Sequence, residues 1–273
     1  MAKVLIGCET SGVVREAFLA LGHDAWSCDL LPSDTPTNRH IQGDVLDVMQ
    51  GDWDLMAVMH PSCTRLCNSG VRWLSKPPTG RSLQDMWSEL DTGAALFSAV
   101  WNVSHIPCVA VENPVMHKHA KARIQNYQPP AQTVQPWQFA TDPDGPDNER
   151  KRTCFWLRNL PLLKATGTLD GTSSRDSVHK ASPGAERWKL RSKFFPGIAA
   201  AMADQWGYHA SRLRQVAQIR NRPLNGETQC PPSPLKPLQI GGASVLPLFA
   251  TCASKGASAI FGLGACTVFQ QKS

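Results

Sequence analysis

Cys63 is the residue of this chain most plainly placed to react. It follows Leu55-Met-Ala-Val-Met59, an apolar run that reads as a buried strand, and that strand must break at Pro61, which cannot continue a sheet ladder. The thiol therefore sits in a loop at the carboxyl end of a strand, where open α/β sheets bind their ligands. Such a cysteine is either a nucleophile, once deprotonated, or an inert packed thiol. His60, Cys63 and Cys67 are also spaced so that they could supply metal ligands, but no paired fourth ligand lies nearby, and no metal is expected.

A second chemical group follows another apolar run. Glu112-Asn113 comes directly after Val109-Ala-Val111, and a carboxylate in that setting is costly without a partner. It is read either as a helix cap or ion pair, or as a group that shares a proton with a ligand. Arg150 and Arg152 alternate at the start of a later strand, which puts both on one face. Taken alone, Arg150-Lys-Arg152 is equally a solvated run of charge.

These groups need elements to hold them. Lys3 to Cys8 is predicted to be a strand, Ser11 to Leu21 a helix closed by Gly22, and Ala25 to Leu30 a second strand ending near Asp29. His40 to Val48 forms a short third element containing Gly43-Asp44, and Asp54 to Met59 is the strand that leads to Cys63. Ser82 to Val103 has the best helical periodicity, preceded by a Pro/Gly-rich loop, Lys76 to Arg81, placed to move over a substrate. Cys108 to Val111 is a buried strand. Gln132 to Phe139 and Cys154 to Leu157 suggest an antiparallel hairpin at a sheet edge. Leu160 to Leu190 reads as a surface excursion, and Phe194 to Gly207 as a helix with Pro196 near its start and a glycine at its end. This rhythm predicts an α/β fold with a mostly parallel sheet flanked by helices.

The 273 residues are 42% apolar, enough for a sizeable core. No apolar run approaches the roughly 18 residues of a membrane span, and no secretory signal opens the chain, so a cytoplasmic protein is expected. Nine cysteines without regular spacing fit a reducing compartment. The formal charge of +6 is not spread evenly: residues 1–210 carry 21 Lys plus Arg against 21 Asp plus Glu, and residues 211–273 carry 7 against 1. The main domain, 1–210, is neutral, so phosphate contacts there require a local cluster. The Pro/Gly-rich, basic tail 211–273 is expected to be weakly ordered.

The order of these motifs resembles the cytosine carbon-5 DNA methyltransferases, in particular their short, phage-associated members. The stretch Ile6-Gly-Cys8-Glu-Thr-Ser-Gly12 resembles that family's cofactor turn, Pro61-Ser62-Cys63 its nucleophile loop, Glu112-Asn113-Pro114 its Glu-Asn-Val motif, and Asn148-Glu-Arg150-Lys-Arg152 its Gln-x-Arg-x-Arg strand. The resemblance spans about residues 4–207.

It implies a Rossmann-like fold that binds S-adenosylmethionine through Cys8, Glu9, Thr10, Ser11, Gly12 and Pro61, with Asp29 on the ribose and Asp44 near the adenine. It also implies DNA methylation of a flipped cytosine, as in restriction-modification, by an enzyme expected to be monomeric. Cys63 would add to carbon 6 of the ring, and Glu112 would share a proton with ring nitrogen 3. Asn113 would fix the loop, and Arg150 and Arg152 would hold the base carbonyl or a phosphate. Ser62 and Asn148 depart from the family pattern, and the target-recognition region is reduced to about 158–193. That reduction leaves two alternatives open: an enzyme acting on a free pyrimidine nucleotide, and a non-catalytic binding protein of the same fold.

Overall fold

The computed structural model describes residues 1–61, 63–180, 182, 191, 192 and 194–220. Within them β1 (Lys3–Gly7), β2 (Asp24–Asp29), β3 (His40–Gln42), β4 (Leu55–Val58), β5 (Cys108–Asn113), β6 (Gln132–Val134) and β7 (Thr153–Arg158) form one sheet, in the order β3-β2-β1-β4-β5-β7-β6. The pairs β3-β2, β2-β1, β1-β4 and β4-β5 are parallel, whereas β7 runs antiparallel to both β5 and β6. The expected mostly parallel α/β sheet and its antiparallel edge pair are both present, but the first strand of that pair stops at Val134, and Pro136–Phe139 form a short 3-10 turn in place of the expected extension to Phe139.

Strand alternation divides the core between the two faces of the sheet. Val4, Ile6, Leu55, Ala57, Cys108, Ala110 and Phe155 pack with Val14 and Phe18 of helix α1 (Val13–Ala20) and with the late helix described below. Leu5, Met56, Val58, Val109, Val111 and Trp156 pack instead with Leu90 and Phe97 of α3 (Leu83–Asn102). The amino end of α3 is fixed by a reciprocal cap in which Asp85 N–H donates to Ser82 Oγ at 3.0 Å and Ser82 N–H donates to Asp85 Oδ2 at 2.9 Å. Short helices follow β3 and β5: α2 (Val45–Val48) and α4 (Lys118–Lys121). A further one, α5 (Ser177–Lys180), closes the excursion after β7.

The late helix departs from the sequence reading. α6 (Pro196–Met202) starts at its proline as expected, but Gly207 does not end it: a π-helical turn, Ala203–Gly207, carries the chain directly into α7 (Tyr208–Arg220). Gly207 is required by proximity instead, since a Cβ there would lie 2.5 Å from His23 Nε2. The boundary expected at residue 210 thus falls inside a helix, and Arg214 of α7 is paired with Asp54 Oδ2 at 2.7 Å. Residues 221–273, most of the expected tail, lie outside the described residues. None of the helices in the described residues is long and apolar enough to cross a membrane.

The sheet order reverses between β1 and β4, because the chain winds outward from this pair in opposite directions. Ligands of open α/β sheets bind at such a switch point, beyond the carboxyl ends of the strands. The loops after β1 and β4, which begin at Cys8 and Met59, flank it.

Candidate active site

The β4 strand ends in a sequence that cannot stay extended. After Val58, the chain passes Met59 and His60 to Pro61 and turns, with Leu66 N–H and Cys67 N–H both donating to Cys63 O at 3.0 Å. Cys63 is half-buried on this turn. The turn is braced by the segment after β5: Asn68 N–H donates to Val115 O at 3.0 Å and His117 N–H to Leu66 O at 3.1 Å. Cys67 is buried and lies 3.0 Å from Ser69 Oγ. Among the described residues no three His, Cys, Asp or Glu side chains converge as a metal site.

β5 runs further than its apolar residues indicated and includes Glu112 and Asn113 as its last two positions. By alternation Glu112 continues the side of Cys108 and Ala110. Its carboxylate is 3% exposed on a whole-residue basis, and Oε2 stands 3.4 Å from His60 Nδ1. Asn113 is fully buried and donates through Nδ2 to Pro61 O at 3.4 Å, which joins the end of β5 to the loop that carries Cys63. Pro61 is thereby joined to the end of β5, while Met59 N–H donates to Gly7 O at 2.9 Å and ties the same loop to the end of β1. His60 Nε2 and Asn113 Oδ1 are buried without a hydrogen-bond partner among the described residues. An orphaned ring nitrogen on the histidine that contacts a buried carboxylate marks a place where a polar ligand would complete the hydrogen bonding.

The third contributor is Lys151. Its ammonium lies 5.7 Å from the centre of the Phe195 ring, and its charge interacts with both Glu112 and Cys63. Burial pushes it below the ordinary lysine value, opposed by the attraction of Glu112 and Cys63. The thiol of Cys63 is pushed up to about 12, first by burial, then by the charge of Glu112 and by Cys67; Lys151 opposes the shift. In the resting site Cys63 is thus a neutral thiol. Burial also lowers His60, which outweighs its hydrogen bond to Glu112 and keeps the ring neutral near pH 7.

Arg150 and Arg152 are not brought to this group. Arg150 donates through Nε to Ser174 Oγ at 2.7 Å and through Nη2 to Gly171 O at 3.1 Å, so it anchors the excursion after β7. Arg152 is exposed, and its charge acts on Cys154, which packs with the α3 side of the core. The residue between them is the one that reaches the carboxylate. The sequence contained the signal: alternation assigns Lys151 to the opposite face from the two arginines, and only the strand's direction was needed to say which face mattered.

The turn after β1 is built around Glu9. This carboxylate, 1% exposed, accepts from Val14 N–H at 2.7 Å, Arg15 N–H at 3.3 Å and Ser11 Oγ at 3.2 Å, so it caps α1 from within. Cys8 and Gly12 both take left-handed backbone angles, φ 55° and 72°. Thr10 is tied to the loop after β2, with its Oγ1 3.2 Å from Asp34 Oδ2. Asp29 accepts from Leu31 N–H through Oδ1 at 3.0 Å, and its Oδ2 has no partner among the described residues. Asp44 caps α2 by accepting from Leu46 N–H at 2.9 Å. Burial pushes Cys8 up to about 12, aided by Asp29, Cys28 and Asp44, so both acids lie near this turn.

A separate cavity of about 1140 Å³ lies at the opposite end of the central strands, lined by Asp52, Trp53, His105, Asn159, His209 and Arg214. Its walls come from the amino ends of β4 and β5, away from the switch point. The chemically distinctive groups, Cys63, Glu112, His60 and Lys151, gather at the carboxyl ends, beside the Cys8–Gly12 turn. No protein-family model and no curated protein matches this chain.

Proposed function

We propose that the protein is an S-adenosylmethionine-dependent methyltransferase of Rossmann-like fold that modifies carbon 5 of cytosine in DNA. The observation that carries this reading is the gathering of Cys63, Glu112 and Lys151, from three separate strand ends, next to the topological switch point. The turn after β1 suits the cofactor: its two left-handed positions open the backbone, and Asp29 keeps one carboxylate oxygen for a ribose hydroxyl. Glu9 supports that turn by capping α1; it is a positioning residue. S-adenosylmethionine, when bound, supplies an electrophilic methyl group.

The chain's own residues prepare the base. Cys63 gives up its proton and its sulfur forms a bond to carbon 6, while ring nitrogen 3 takes a proton. Glu112 can do both transfers, accepting the thiol proton and delivering it to nitrogen 3, so no charge is stranded in the buried site. Lys151 offsets the negative charge that passes between the thiolate and the carboxylate. His60 offers the base a further polar contact through its orphaned Nε2, and Asn113 holds the loop through Pro61. After carbon 5 has received the methyl group, carbon 5 loses its proton to solvent, the bond between carbon 6 and the Cys63 sulfur breaks, and the proton on nitrogen 3 returns through Glu112 to that sulfur, which restores the aromatic ring and the thiol.

A second reading, a free pyrimidine nucleotide as acceptor, draws on the excursion after β7. This segment packs back on the body: Gly167 N–H donates to Gln138 O and Thr168 N–H to Ala140 O, both at 2.9 Å, and Arg175 pairs with Glu149 at 3.0 Å. Its described part is thus not a separate recognition domain. Incubation with labelled S-adenosylmethionine and either mixed-sequence duplex DNA or dCMP decides between the readings. Label recovered as 5-methylcytosine in DNA is expected; label on dCMP alone establishes the second reading, and label on neither removes both.

A further inference from the structure

The two segments that brace one another around Cys63 share a property of composition. Residues 63–84 contain Arg65, Arg72, Lys76 and Arg81 and no acid, and residues 113–141 contain Lys118, Lys121 and Arg123 and no acid. Acids of α3 neutralise part of this charge: Glu89 pairs with Arg65 at 2.7 Å and also with Arg81, and Asp91 pairs with Arg123 at 2.5 Å. Arg72, Lys76, Lys118 and Lys121 are exposed and make no ion pair among the described residues. Four unpaired cations on two joined segments form the local cluster that a neutral domain needs in order to hold a polyanion.

Aromatic rings lie among the cations. The Arg72 guanidinium stands 4.3 Å from the centre of the Trp73 ring and that of Arg123 stands 4.7 Å from Trp87, while His119 meets Trp87 edge-on at 5.3 Å. A guanidinium on an aromatic face keeps its N–H edge available for an anion and loses less freedom when it binds one. The backbone link between the segments, the paired Cys67 and Met116, lies four residues from the nucleophile.

We propose that this surface, Arg72 and Lys76 on one side and Lys118 and Lys121 on the other, grips the DNA backbone on either side of the target base. The inference rests on reading DNA as the substrate. It places the grip before and after β5 instead of in the short excursion that follows β7. Phosphate contacts of this kind set position and orientation without reading sequence.

The test is duplex DNA binding by fluorescence anisotropy across a salt series, with the full chain and without S-adenosylmethionine. The combined variant Arg72→Ala, Lys118→Ala, Lys121→Ala should weaken binding at least about tenfold near 0.1 M salt. It should also flatten the slope of log Kd against log salt by about 2 to 3, as expected for the loss of three phosphate contacts. Circular dichroism and melting temperature confirm that the variant is folded. Unchanged affinity and slope, or an equal loss from the control variant Arg39→Ala, Arg212→Ala elsewhere on the surface, would overturn the inference. So would the absence of salt-dependent DNA binding by the unaltered protein. Methyl transfer is measured separately, so salt-dependent binding that falls in the triple variant, with no label in DNA, leaves the surface standing and removes the chemistry.

Discussion

His60 Nδ1 stands 3.4 Å from Glu112 Oε2, so the loop after one central strand supplies the partner for the buried carboxylate at the end of its neighbour. Burial holds this ring below the ordinary histidine value of 6.5, as it does His23 and His117. A folded value lying below the unfolded one means that the unfolded chain binds more protons in the window between them. Stability is therefore present above 6.5 and is lost as pH falls from there through the folded values. Melting temperature should fall between about pH 7 and pH 5, and His60→Asn should shrink that fall. Melting curves that do not respond to acid, or a variant with the full response, would contradict the assignment of His60 as a neutral buried ring.

Cys63→Ala should abolish methyl transfer and leave S-adenosylmethionine binding within a few-fold of the parent, measured by calorimetry. Retained turnover would exclude a covalent step through this thiol.

Glu112→Gln should move two properties of the site in opposite directions. Removing the charge that helps hold Cys63 near 12 makes the thiol easier to ionise, so alkylation of Cys63 by iodoacetamide at fixed pH should speed up several-fold or more. Methyl transfer should fall by roughly 100-fold or more, because the amide cannot carry a proton to ring nitrogen 3. Peptide mapping by mass spectrometry separates Cys63 from the other thiols. If alkylation slows in the variant, Glu112 does not govern the thiol.

Lys151→Met should cost more activity than either Arg150→Ala or Arg152→Ala. Loss of the ammonium leaves Glu112 and the developing thiolate without the positive charge that acts on both, and a decline of about 100-fold in kcat is expected. The comparison of kcat among the three variants checks it; a larger effect from Arg152→Ala would return the role to the arginines.

The turn after β1 can be probed through its cap. Glu9→Gln keeps an oxygen for the α1 amides and should cost little, whereas Glu9→Ala should destabilise the protein by about 1 to 2 kcal/mol and weaken S-adenosylmethionine binding. Asp29→Ala should weaken cofactor binding without a comparable fall in melting temperature. If Glu9→Ala melts like the parent, the carboxylate does not hold this turn.

Much of this arrangement was legible in the sequence where apolar runs meet residues that stop them. Leu55 to Met59 followed by Pro61 announced both a strand and the loop that carries Cys63, and Val109 to Val111 did so for Glu112. Lys151 was hidden because its face depends on which way β7 runs and on what it pairs with, and neither is encoded within the strand itself. Gly207 misled for a related reason. A glycine after an apolar helical stretch usually ends the helix, but this one is small to admit His23, from a turn far away in sequence. The start of the tail was misplaced because Ser211 to Arg220 lack a strong apolar stripe. The contact that ties them down, Arg214 with Asp54, joins residues too distant for local periodicity to report.

The reversed strand also constrains how the site is assembled. β6 precedes β7 in the chain yet touches the sheet only through it, so β6 joins the sheet either together with β7, as a paired unit, or after it. Because β7 runs against its neighbour, it brings its beginning to the chemical edge, and Lys151 arrives there only when β7 pairs with β5. Strands β1 to β5 alone supply Cys63 and Glu112 but not the cation that acts on both. The site is thus completed only by a long-range pairing, that of β7 with β5, and a charge at residue 151 reports at the site on whether that pairing has formed.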